Sequence, residues 1–69
     1  MTTLVNQFLG ERGGQSLRAD VFPAGTVGYS INYYINDKFI KEEVIQGHSI
    51  HYVEDACNNW ISGIKVLNG

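Results

Sequence analysis

The chain has 69 residues, 43% of them hydrophobic, with five basic and seven acidic side chains and a formal charge of −2. That length holds one domain, which buries only about 60% of its unfolded surface, and the composition excludes disordered and collagen-like classes. The single cysteine excludes an internal disulfide, and the scattered basic residues lack the stripe by which nucleic-acid binders neutralise phosphates.

The charge is uneven along the chain. In residues 1–36, Arg12 and Arg18 cancel Glu11 and Asp20, whereas residues 37–69 set three lysines against Asp37, Glu42, Glu43, Glu54 and Asp55. "MTTLVNQFLGERGG" has neither a basic leader nor a long apolar stretch and does not read as a secretory signal. No run nears the ~20 apolar residues of a membrane-spanning helix. The expectation is a soluble protein in a reducing cytoplasm, without a membrane partner.

At the N-terminus, Leu4, Phe8 and Leu9 fit either a short helix or an added strand, with "RGGQ" (Arg12 to Gln15) as the following loop. "SLRADVF" alternates and places Leu17, Ala19 and Val21 on one face, and Pro23, Ala24 and Gly25 supply a turn. From Thr26 the period of two is clear. Val27, Tyr29, Ile31, Tyr33 and Ile35 fall on one face, and Gly28, Ser30, Asn32 and Tyr34 on the other.

"Asn36-Asp37" tolerates positive φ and suits a tight hairpin, after which "KFIKEEVIQ" returns as a strand. An even loop puts Ile40, Glu42 and Val44 on the face of Tyr29 and Ile31. A three-residue loop puts Phe39, Lys41, Glu43 and Ile45 there. We take the first, because Ile40 and Val44 are apolar; Phe39 and Ile45 then share the second face with Tyr34.

In "GHSIHYVEDACNNWISGIK", Val53, Ala56, Cys57, Trp60, Ile61 and Ile64 form one stripe of an amphipathic helix. Glu54 and Asp55 suit its first turn and Lys65 its last, while Gly63 weakens the interior by about 1 kcal/mol. The fold class expected is α+β, a single domain over 1–69. It is a three-stranded antiparallel meander, with an extra N-terminal strand left open, packed by one C-terminal helix.

The polar groups do not assemble an active site, and no enzyme activity or cofactor is expected. His48, His51, Glu54 and Asp55 could bind a transition metal only by converging at the helix start, which their spacing in a connection does not ensure. Cys57 lies in the apolar stripe beside Glu54 and Asp55, the reverse of the electropositive setting of a reactive thiol. Tyr29, Tyr33 and Trp60 read as core, leaving Tyr34 displayed. The glycines of "ERGGQ" lack the lysine and hydroxyl residue of a phosphate loop. Glu42 and Glu43, adjacent on a strand, point to opposite faces.

Two likenesses follow from these elements. Strand, turn, strand and "HSIHYVEDACNNW" resemble, over Val27 to Ile64, the layout of AP2-type and integrase-arm DNA-binding domains. This implies a sheet face that reads DNA, here offering Ser30, Asn32, Tyr34, Lys41 and Glu43. Tyr33 to Glu43 and Gly47 to Lys65 resemble the "YxINxKFIKEE" hairpin and "GHSxxYxEDAxxNWxxGIK" helix of small proteins of T4-like phages infecting marine cyanobacteria. That likeness implies an accessory protein of the host-cell cytoplasm and carries no site residues.

The function expected is a non-enzymatic protein–protein interaction module, self-associating as a homo-oligomer or binding a host or phage protein. Its expected interface is Phe39, Ile45, Tyr34, Leu4 and Phe8. The alternative is a weak nucleic-acid-binding module.

Overall fold

A computed structural model describes residues 4–63. The order is β1 (Asn6–Arg12), β2 (Gln15–Ala24), β3 (Gly28–Ile35), β4 (Lys38–Gln46) and α1 (Ile50–Ile61). The four strands form one antiparallel sheet in sequence order, and α1 packs across β1, β2 and β3. The class is α+β, as expected. The N-terminal segment, open between strand and helix in the sequence, is the fourth strand.

Turn chemistry sets the connections. Gly13 and Gly14 join β1 to β2 with φ of 61° and 79°, and Asn36 and Asp37 join β3 to β4 with φ of 51° and 65°. Two successive positive-φ residues match the twist of the strands they link. Asn36 also accepts the Ser16 amide on its side-chain oxygen at 3.0 Å. Pro23 and Ala24, expected in a turn, end β2 instead. Pairing with β1 reaches only to Val21, so Pro23 sits where a missing N–H leaves no ladder bond unmade.

Leu17, Ala19, Val21, Ile31, Tyr33, Val53, Cys57 and Trp60 are buried between sheet and helix. The ring of Tyr33 meets Trp60 edge-on at 4.8 Å, a geometry the aromatic quadrupoles favour. Gly10 lies where the helix crosses β1, and a Cβ there would overlap the Ile61 side chain.

The β3–β4 register differs from the one taken from the sequence. The loop has two residues, as expected, and Phe39 does lie opposite Tyr34. A bulge then leaves Ile40 without a cross-strand partner, so that Lys41 faces Tyr33, Glu43 faces Ile31 and Ile45 faces Tyr29. One extra residue inverts the parity of every position after it. Ile45 is therefore buried in the core rather than displayed beside Tyr34, and Val44 points away from the helix and is 54% exposed. Lys41 and Glu43 leave the second face for the same reason.

The helix begins earlier than its acidic pair suggested. With Ser49 as N-cap, no acidic residue lies in the first turn, and Glu54 and Asp55 fall in the second. Gly63 terminates the helix instead of interrupting it. Its φ is 86°, and its amide donates to the Trp60 carbonyl at 3.1 Å, a left-handed cap. Ile64 and Lys65 lie outside the described residues.

Candidate functional site

The sheet has two unlike faces. One carries the core. Among the described residues no element covers the other, which we term the open face. It is built from the alternate positions of the strands: Leu9 of β1, Arg18, Asp20 and Phe22 of β2, Ser30, Asn32 and Tyr34 of β3, and Phe39, Glu42 and Val44 of β4.

Register sorts these side chains into rows across the strands. In the middle row Gln7 stands opposite Asp20, Asp20 opposite Asn32, and Asn32 opposite Glu42. Gln7 donates its amide to Asp20 at 2.9 Å, and the Ser30 hydroxyl donates to Glu42 at 2.8 Å. The side-chain oxygen of Asn32, between the two carboxylates, is shut off from water with no hydrogen-bond partner.

Apolar rows flank the polar one. On one side stand Leu9, Tyr34 and Phe39, with Arg18 between Leu9 and Tyr34. The Arg18 guanidinium lies 4.1 Å from the centre of the Tyr34 ring, and Tyr34 meets Phe39 edge-on at 5.8 Å. Arg18 is held by Asp37 at 3.0 Å and by Asp20 at 3.4 Å, which neutralises it within the chain. On the other side Phe22, Ser30 and Val44 stand in line. Together with Pro23, Asn32 and Glu42 they enclose a groove of about 410 Å³, within the size range of sites that hold a ligand or a side chain.

The five residues expected at an interface divide. Phe39 and Tyr34 lie together on the open face. Leu4 is exposed, just ahead of β1. Phe8 turns inward and is half-buried against the core, and Ile45 is core. Leu9, Val44, Phe22 and the polar row were not singled out from sequence. Their common face depends on the β1 strand assignment and on the bulge at Ile40.

The histidines do not converge with the carboxylates. His48 stacks on Tyr52 with ring centres 3.9 Å apart. His51 lies 3.7 Å from Glu54, whose other oxygen accepts the Asn6 amide at 3.0 Å. Among the described residues no group of three His, Cys, Asp or Glu could hold a metal ion. Cys57 is fully buried. No helix among the described residues is long and apolar enough to cross a membrane.

Burial and the adjoining Glu43 carboxylate push the Tyr33 hydroxyl far above the usual phenol range. It stays protonated and donates to Glu43 at 2.7 Å, a bond that ties β3 to β4 within the core. No protein-family model, no curated protein and no solved structure matches the chain.

Proposed function

We propose that this chain is a non-enzymatic protein-interaction module that docks its partner on the open face of the sheet. The observation that carries this reading is the exposure of large apolar side chains there: Leu9 is 68% exposed, Phe39 58% and Val44 54%. An apolar surface gathered on one face and rimmed by polar groups is the usual form of an interaction site. The likeness of two segments to small phage proteins suggests an accessory protein and implies no activity of its own.

The test is a pair of substitutions on that face, Phe39→Asp and Val44→Asp, read for both stability and binding. A docking surface predicts variants that fold as well as the parent and lose their partner. Loss of the fold instead would mean that these side chains serve the domain's own packing.

Self-association is a second reading, favoured by β4, an edge strand on which Phe39, Ile40 and Val44 are all about half exposed or more. Edge strands of this composition pair readily with their own copies. Light scattering over a dilution series decides it. Nucleic-acid binding finds little support on the open face, where Arg18 stands against Asp20, Asp37 and Glu42.

A further inference from the structure

The open face is complementary to itself. The Val5 amide donates to the Val21 carbonyl at 2.7 Å, which carries the β1–β2 ladder past Asn6 and places Val5 at the head of the row of Phe22, Ser30 and Val44. Each row therefore crosses all four strands. Two such faces, docked about a two-fold axis that runs along the strands between β2 and β3, keep their rows and exchange their strands. β1 of one copy lies on β4 of the other, and β2 lies on β3, an aligned packing of two sheets.

This arrangement joins like to like where the side chains are apolar and donor to acceptor where they are polar. Leu9 meets Phe39 and Val5 meets Val44, at positions between 45% and 68% exposed in the single chain. The Gln7 amide gives one N–H to Asp20 and keeps a second, which meets the Glu42 carboxylate of the other copy. Asp20, held by Arg18 in its own copy, meets the neutral Asn32. Phe22 meets Ser30 and so enters the groove that Ser30 and Val44 line. Across the three rows no carboxylate faces another. Past them, Glu11 meets the β3–β4 turn, where Lys38 is exposed and Asp37 is already bound to Arg18.

Other arrangements of two copies lose this match. An axis laid along the polar row sets Asp20 and Glu42 against their own equivalents, a like-charge contact that interfaces avoid. Pairing along the β4 edge meets the bulge at Ile40, with Lys38 and Lys41 on either side of it, and bulges and lysines both blunt an edge. A surface that serves only an unrelated partner has no need to fit itself. Resting on the interaction-module reading, we infer that the partner of the open face is a second copy of this chain, docked about the axis between β2 and β3 with a helix on each outer side. The contact is isologous, so each pairing occurs twice.

The experiment uses the full chain and two variants at exposed positions, Leu9→Lys and Phe39→Asp. Light scattering through the micromolar range is expected to show the parent rising to twice the 7.7 kDa of one chain. Each variant alone should stay monomeric, with thermal melts confirming that it is folded. Their equimolar mixture should return to the doubled mass, because the new charges then face each other while the second Leu9–Phe39 contact is native. In the parent, nuclear Overhauser contacts between Leu9 and Phe39 should appear only on dimerisation, since β1 and β4 lie three strand spacings apart, about 14 Å. A parent that is monomeric throughout, a dimer that survives in both variants, or a mixture that stays monomeric overturns the inference. A monomer that loses a different protein on Phe39→Asp also overturns it, while leaving the open face as the docking surface. Failure of that broader reading shows separately, as a folded Phe39→Asp variant that keeps every partner of the parent.

Discussion

The Tyr33 hydroxyl donates to Glu43 at 2.7 Å beneath the helix, while the same ring meets Trp60 edge-on at 4.8 Å. One side chain thus links β3, β4 and α1. Tyr33→Phe keeps the ring and removes the donor, leaving the half-buried Glu43 without this bond. The expected cost is about 1–3 kcal/mol in urea denaturation, the range for a hydrogen bond to a charged group.

The same pair sets a response to alkaline pH. The folded state raises the Tyr33 pKa above its ordinary value of 10.0, so the stabilisation is complete below pH 10. As pH rises above 10 the unfolded chain ionises this hydroxyl first, and stability falls, by at most about 1.4 kcal/mol per pH unit for one proton. Denaturation midpoints between pH 9 and 11 should therefore fall more steeply for the parent than for Tyr33→Phe. Equal slopes would remove Tyr33 as the source.

Arg12 ties the first hairpin to the far end of the helix, donating to the Trp60 carbonyl at 2.8 Å. A cation there also complements the helix dipole. Arg12→Ala should lower stability by about 0.5–1.5 kcal/mol. Gly63→Ala should cost about 1–2 kcal/mol, because a side chain is forced into the left-handed region. Thermal melts of both variants check this, and Arg12→Lys should recover part of the loss.

Gly10 and Ile61 define the closest approach of helix and sheet. Gly10→Ala should destabilise by about 1–3 kcal/mol, since its methyl group would meet the Ile61 side chain. In a double-mutant cycle with Ile61→Ala the two losses should fall short of additive, because the second change makes room for the first.

Much of this architecture was legible from periodicity. The inward set of β3, the stripe of α1 and the positive-φ pair Asn36-Asp37 all follow from residue type and spacing. β1 was ambiguous because Leu4, Phe8 and Leu9 fit either period, and only pairing with β2 separates the inward Phe8 from the outward Leu9. The bulge left no signal, since "KFIKEEVIQ" contains no glycine or proline to mark it. With it the polar row of the open face was also hidden, because Glu42 joins Asp20 and Asn32 only once Ile40 is set aside.

That explanation of the register has its own test. Deleting Ile40 should leave Lys41 opposite Tyr33 and Ile45 in the core, in a regular hairpin with the same two-residue turn. Cross-strand nuclear Overhauser contacts between Tyr29 and Ile45 should persist in the deletion variant. Their replacement by contacts between Tyr29 and Val44 would show that the bulge is not what sets the parity.

The measurement closest to the central claim is site-specific photo-crosslinking in the cells that make the protein, with the reactive side chain at Val44 or at Asn59. Position 44 lies on the open face and position 59 on the exposed face of α1. A docking surface on the sheet predicts a discrete adduct with another protein chain from position 44, none from position 59, and loss of that adduct when Phe39→Asp is added. Adducts from position 59 alone, or from neither position, would contradict it.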